Sequence, residues 1–509
     1  MQQSLSVNLK TSHVFARRLS QLSAVTVIII GTILISGCSE DPKNYTSSQK
    51  HFAGTSLSLV CQHQAFAEAI APMVQSWAER SGAKVTLKIG SMLPDDDADI
   101  GVIEVQELGK WADLGELQQI PVELRAPDHP FQWTGLLPAY REQLILWGGQ
   151  ARAIPLAGDG YVIVYRTDRL KEPRFMNDFN AQFARNPTAP TTWEEFAAIA
   201  GIFSSIDGKP SVPALTNTEL ASLFFRIAAC YDRKLQKESF SSKAIGGLDA
   251  LSFQFDLNNG KPRLTSPAFV ATAEWFANLV AKKCLPPPAA EATSDPAAAL
   301  AGNQASIAVL SLAQLARFSR ENGSIPERFG LAPLPGTRST FDHEKQRLVQ
   351  LPQPNYVPYF TGGRLGVVRT RCSNPAAAFD LLADLGGPTR SMEIISSSEL
   401  GAGPFRISHL AHERLQIWYG YGLDSSRSDL LRNALLQYIN LEAKTPISGL
   451  RGPDQAELSS TAAKQIGKIA SGTPAEAGLK QLLDEWNQID SKTPENIRIK
   501  WLRLAAGLN

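Results

Sequence analysis

Three aspartates at alternate positions, Asp95, Asp97 and Asp99, open in the way a calcium-binding loop opens. Such a loop needs glycine at its sixth place and a bidentate glutamate at its twelfth. Ile100 and Gln106 stand there, so the run reads as a solvated acidic loop. His409 and His412 lie three apart beside Glu413. A surface helix accounts for that spacing better than zinc does, and no cysteine has metal-ligand spacing. Gly401-Ala-Gly403 and Gly420-Tyr-Gly422 start like dinucleotide-binding turns, but Arg406 and Ser425 occupy the third glycine positions. No nucleophile elbow, phosphate-binding loop or H-E-x-x-H helix occurs. The expectation is a protein without catalytic residues, metal or cofactor.

The elements that would position any site alternate in type. Residues 56–62 (SLSLVCQ) form a short apolar run. Phe66, Ile70, Met73, Val74 and Trp77 then recur at helical spacing, and Val85, Leu87 and Ile89 alternate as a half-buried strand does. Residues 99–105 (DIGVIEV), 153–156 (AIPL) and 161–166 (YVIVYR) read as further strands, the last two flanking Ala157-Gly-Asp-Gly160. Thr192-Trp-Glu-Glu195 has the form of a capping box, Asn374-Pro375 combines a cap with proline at the first helical position, and Thr473-Pro-Ala-Glu476 carries both signals. Strands alternating with helices predict an α/β fold.

The amino terminus has a different character. Lys10, Arg17 and Arg18 precede the apolar run 22–35, and no acidic residue occurs before Cys38. A basic region, a short apolar core and a small-residue exit make residues 1–37 a secretory signal, the run being too short for a membrane span. Ile35-Ser-Gly-Cys38 resembles the bacterial lipobox, which implies cleavage before Cys38 and acylation of its thiol, with more than one chain needed for stable anchoring. Residues 38–55 are polar and aperiodic, as a tether would be.

Without residues 1–37 the chain keeps 47 basic against 49 acidic residues, which gives no basic footprint for nucleic acid. Its 43% hydrophobic content suffices for large cores. Beyond Cys38 there are Cys61, Cys230, Cys284 and Cys372, and sequence alone leaves three full pairings open.

Several stretches then fall into a familiar order: HQAFAEAIAPMVQSWAERSGAKVTL, DADIGVIEVQELGKWADLGELQQIP, IPLAGDGYVIVYRTDRL, PTTWEEFAAIA, AEWFANLVAKKCLPP, AGNQASIAVL, FGLAPLPG, GGRLGVVRTRCSNPAAAFDLLADL, GAGPFRISHL and IASGTPAEAGLKQLLDEWNQI. On these the chain resembles the sugar-type extracellular solute-binding proteins of bacterial ABC importers, the group that contains the maltodextrin-binding proteins. The departures are the loop from Ser91, a long connection at 171–189, and residues 338–361, which read as an inserted loop.

The resemblance implies a two-lobed periplasmic-binding-protein-like fold, two sheets flanked by helices and joined by interlobe hinge strands. Lobe one would comprise 56–157 and 361–412, lobe two 158–360 and 413–509. It implies a monomeric, lipid-anchored binding component in the cell envelope. This component would capture a small solute, a sugar or oligosaccharide, between its lobes and deliver it to ABC permease subunits. A lipoprotein that presents ligand to a sensor, and an exported carbohydrate-acting enzyme, are the alternatives. The implied ligand contacts are Gln62 and Gln64 in lobe one, Asp159 and Tyr161 in the first crossover, Asn217, Glu219 and Ser311 in lobe two, and Tyr356 and Tyr359 in the second crossover. Because the corresponding helix ends adjoin in the family, the resemblance also implies a Cys230–Cys284 disulfide.

Overall fold

The leader and Cys38 lie outside the described residues, as does most of the tether: the computed structural model describes residues 51–233, 251–290, 294–439 and 447–508. The segment expected to form lobe one begins with β1 (Ser56–Cys61), α1 (Gln64–Ser81), β2 (Lys84–Ile89), β3 (Ile100–Glu104) and α2 (Leu108–Asp113). A π-helical turn, Tyr140–Leu144, leads to the hairpin β4 (Leu146–Trp147) and β5 (Gln150–Ala151), then to β6 (Ile154–Ala157). Helix α1 buries Phe66, Ile70, Val74 and Trp77. Each contributes roughly 1.5–3 kcal/mol of transfer free energy. Gly82 ends the helix at φ 80, a left-handed value that glycine adopts without strain.

The segment expected to form lobe two opens with β7 (Tyr161–Arg166), α3 (Pro173–Phe183), α4 (Trp193–Asp207), α5 (Asn217–Asp232), α6 (Pro267–Ala281) and α7 (Pro296–Ala301). β8 (Ile307–Ser311), α8 (Leu312–Glu321), β9 (Phe329–Ala332), β10 (Thr337–Asp342), β11 (Arg347–Asn355) and β12 (Tyr359–Phe360) follow. The chain then returns as β13 (Arg364–Val368), α9 (Pro375–Gly386) and α10 (Pro388–Ser396). It ends with α11 (Ser425–Ile439), β14 (Ile447–Ser448), α12 (Gln455–Ala470), α13 (Ala475–Asp490) and α14 (Glu495–Ala505).

Two sheets organise these elements. The first has the order β2-β1-β3-β13-β6, with β13 antiparallel to both of its neighbours. The second is β8-β7-β9, antiparallel throughout. The chain therefore crosses between sheets at 158–160 and again at 361–363. A third segment joins the crossing, for Gly158 and Gly403 exchange backbone hydrogen bonds of 2.8 and 2.9 Å. A Cβ on Gly403 would stand 2.1 Å from the Asp159 carbonyl oxygen, so side chains are excluded where the strands meet.

Several local expectations change. The 338–361 segment is not a loop. It folds as the β10–β11 hairpin and lies on the end of α5, where Thr337 and Asn355 donate to the Cys230 carbonyl and Thr340 to that of Tyr231. The expected Cys230–Cys284 disulfide is not formed: all four described cysteines are free and buried. The Cys230 thiol packs against the Val357 backbone, and that of Cys284 turns toward the Lys282 carbonyl, so the two sulfurs have different neighbours. His409 is not on a surface helix. Its ring is fully buried, with Nδ1 accepting from Phe405 N and Nε2 facing the Ser391 hydroxyl, while His412 is exposed. Thr192 and Asn374 do cap α4 and α9, but α13 starts at Ala475 with Pro474, not Thr473, in the cap position.

Candidate functional site

Helix α5 starts on a complete capping box, in which Glu219 N bonds to the Thr216 hydroxyl and Thr216 N to the Glu219 carboxylate. Its sequence then turns apolar, and Arg226 stands inside that apolar stretch, 3% exposed. A buried cation requires partners. They come from both crossovers and from α11: Nη2 donates to Thr361 Oγ1 at 2.8 Å and Asp159 Oδ2 at 3.3 Å, and Nη1 to the Tyr359 carbonyl at 2.6 Å and Tyr438 Oη at 3.2 Å. The guanidinium lies 3.7 Å above the Tyr161 ring centre, a desolvated cation–π contact. Burial works against the cation, but the oxygens of Tyr438, Tyr161 and Asp159 outweigh it and keep Arg226 charged.

Asp159 is the counterpart. Its Oδ2 also accepts from Thr361 N at 3.2 Å, Gly362 N at 3.0 Å and Tyr438 Oη at 3.1 Å, and Oδ1 from Gly160 N at 2.9 Å. One carboxylate therefore ties the first crossover to the second, and Arg226 ties both to α5. Burial, followed by the Asp159 charge, pushes the Tyr161 hydroxyl above its usual pKa, so it stays a neutral donor.

Above this node is a cavity of about 360 Å³, within the range of small-molecule sites. Tyr161, Tyr359 and Phe225 supply aromatic surface, and Leu215, Val309 and Leu450 aliphatic surface. Polar groups converge from several elements: Glu219 and Ser222 of α5, Ser311 and Gln314 at the start of α8, Gln254, and Gln106 from the first lobe. Gln106 donates to the Thr361 carbonyl at 2.5 Å, which carries the first lobe to the rim. The charged side chains of the lining are engaged within the protein, one by an ion pair and one by neutral hydrogen-bond donors. Arg226 faces Asp159, and the Glu219 carboxylate accepts from Thr216 N at 2.8 Å, Ser294 Oγ at 2.8 Å and Gln314 Nε2 at 2.7 Å. An amphipathic, uncharged, hydroxyl-rich molecule suits such walls, since aromatic faces cover apolar ring surface while amides and hydroxyls pair with its oxygens.

Of the residues expected from sequence, Tyr161, Glu219, Ser311 and Tyr359 line this cavity. Ser311 also caps α8, accepting from Gln314 N. Asp159 is beneath the floor, its acceptors already engaged. Tyr356 is buried outside the lining. Asn217 is exposed and lies against α12, where a Cβ on Gly467 would meet its Oδ1 at 2.0 Å. Gln64 bonds to Glu68 on its own helix, and Gln62 to Glu107. These last four do not line the cavity. Sequence reading missed Arg226, Gln106, Gln254 and Gln314. Among the described residues no group of three His, Cys, Asp or Glu side chains is placed to hold a metal ion.

A family model described as bacterial extracellular solute-binding protein matches residues 77–414. The sequence comparison with curated proteins produced no match. Among solved structures, the sugar-binding protein MalE from the phytopathogen Xanthomonas citri is similar, with a TM-score of 0.63 at 15% identity, covering 86% of this chain and 98% of that one. An ABC transporter solute-binding protein from Agrobacterium radiobacter, in complex with ribitol, gives 0.60 at 16% identity, covering 86% and 100%. Maltose-bound MalE3 of T. maritima gives 0.57 at 16% identity, also covering 86% and 100%. At these identities the likeness shows the fold, two lobes of mixed α/β structure.

Proposed function

Since the chain belongs to the bacterial extracellular solute-binding proteins, we propose that it captures a neutral, polyhydroxylated solute of mono- to disaccharide size in the Tyr161–Tyr359 cavity and hands it to an ABC permease. The observation that carries this reading is the cavity itself: aromatic faces, convergent amides and hydroxyls, and charged groups already engaged by partners within the protein. The similar proteins bound to maltose and ribitol point to the same ligand chemistry. No covalent step is required. A solute that contacts both lobes favours the arrangement in which both can touch it, and its differential affinity shifts the lobes toward that state. The permease would read this state.

In the same proposal residues 1–37 direct export, Cys38 carries the acyl anchor, and residues 38–55 span from membrane to body. The lobes would comprise 56–157 with 361–412, and 158–360 with 413–509. Mass spectrometry of the mature protein tests the anchor: an acylated Cys38 at the amino terminus is expected, and an intact 22–37 segment would overturn it.

A thermal-shift and calorimetry panel of sugars, polyols, amino acids and organic anions tests the ligand class. A sugar or polyol should stabilise the parent protein and fail to stabilise Tyr161→Ala. Stabilisation by a charged amino acid or anion alone would overturn the assignment.

A further inference from the structure

The wall of the cavity continues into an unusual contact between the lobes. Gly449 and Leu450 line the cavity, and the next residue, Arg451, leaves it to enter the first lobe. There Arg451 is 1% exposed, with Nη1 donating to the carbonyls of Gln143 and Leu144 at 3.1 Å and of Leu146 at 3.4 Å. Its Nη2 donates to the Ala505 carbonyl at the end of α14. Among the described residues no carboxylate pairs with it, and burial lowers its pKa to about 10. Its partners are carbonyls at the carboxyl ends of the Tyr140–Leu144 turn and of α14, the negative ends of their dipoles. The fit is close. A Cβ on Gly109 of α2 would meet the Arg451 carbonyl oxygen at 1.9 Å.

Helix α14 completes the contact. On the second-lobe side Arg503 Nε donates to the Leu257 carbonyl at 3.0 Å, and Arg498 Nη1 to that of Asp490 at 3.3 Å. On the first-lobe side Gly148 N donates to the Leu504 carbonyl at 3.0 Å. One short helix is therefore bonded to both lobes, and Arg451 holds its carboxyl end.

We propose that Arg451 is a positioning residue: with α14 it clasps the lobes and seats the Gly449–Leu450 wall, so that cavity occupancy and lobe setting are coupled through three consecutive residues. The coupling to occupancy rests on the ligand-site reading above. The clasp itself does not.

The test compares the full mature chain with Arg451→Met, Arg451→Lys and a truncation after Thr493, using Leu482→Ala as a destabilised control. Without ligand, Arg451→Met and the truncation should speed amide exchange in peptide 145–151 at least tenfold and change the radius of gyration in small-angle scattering. Arg451→Lys should recover part of both, and Leu482→Ala should lower the melting temperature without changing the radius. The clasp is overturned if Arg451→Met and the truncation leave exchange and radius at parent values, or if Leu482→Ala shifts the radius as much as they do. Maltose is the probe for coupling. Bound maltose should slow exchange at 145–151 in the parent and not in Arg451→Met, and binding without that protection would overturn the coupling. If no member of the panel binds the parent, the ligand reading and the coupling fail together, and the clasp still stands or falls on the ligand-free comparison.

Discussion

Arg226 of α5 and Asp159 of the first crossover meet at 3.3 Å beneath the cavity, both almost fully buried. Neither can be removed alone without stranding the other. Arg226→Met should cost about 3–5 kcal/mol in chemical denaturation, the usual penalty for breaking a buried pair. The double variant Arg226→Met with Asp159→Asn should recover much of that loss. Equal, additive losses would mean that the two are not coupled.

Asp159→Ala should lower the melting temperature of the unliganded protein, because Arg226 then keeps a buried charge without its counter-ion. A residue that acted only as a ligand contact would weaken binding and leave unliganded melting unchanged. Differential scanning calorimetry on the apo variant separates the two roles.

Tyr161→Ala removes the ring beneath Arg226 and part of the cavity floor. Affinity for the solute found in the panel should fall about tenfold or more, equivalent to roughly 1.4 kcal/mol. Calorimetric titration measures it, and affinity at the parent value would place the solute elsewhere.

Two buried groups make stability depend on pH with opposite signs. Burial, then the nearby Arg406 charge, lowers the His409 pKa to about 3, so the native protein holds this ring neutral while the unfolded chain protonates it near 6.5. Its contribution is present above the unfolded value and is lost as pH falls toward 3, at about 1.4 kcal/mol per unit at most. Burial raises Asp490 to about 6, so the native protein keeps it protonated where the unfolded chain has ionised it. That contribution is present below the unfolded pKa and is lost as pH rises to 6. Asp490→Asn should therefore raise the melting temperature at pH 7.5, and the gain should vanish near pH 4. A gain independent of pH would show that Asp490 does not titrate in this window.

The described cysteines should behave as buried thiols. Burial pushes Cys230 up to about 12 and Cys372 up to about 11, far from the thiolate needed for reaction. Dithiothreitol should leave melting unchanged, and a thiol reagent should label these cysteines on unfolding. A drop in melting temperature under reduction would reveal a disulfide.

Much of the architecture was legible because it depends on local pattern. The Phe66–Trp77 stripe, the alternation at Val85–Ile89 and the caps at Thr192 and Asn374 each act within a few residues of chain. The misses are non-local. Residues 338–361 looked like a loop because their polar edge gives no strong alternation, and the hairpin is held by carbonyls of α5 more than a hundred residues earlier. The histidine spacing suggested a surface helix, but Ser391 and Phe405 enclose His409. Asp159 was expected as a ligand contact in the crossover, but its lone pairs are engaged by Thr361, Gly362 and Tyr438, far along the chain. Arg226 did leave a signal, a lone cation within LASLFFRIAAC, which asks for a buried anion. What sequence could not supply was the identity of that anion.

The strand order of the first sheet has a further consequence. β13 lies between β3 and β6, although it comes more than two hundred residues later than either. Until Arg364–Val368 is available, β3 and β6 have no common neighbour and the sheet stays divided. Such long-range pairing is slow, because the loop must close before the contacts reward it. A chain leaving the ribosome amino terminus first therefore cannot complete its leading lobe until most of it has been synthesised. This delay keeps the polypeptide threadable, the state in which an export channel that passes unfolded chains can accept it.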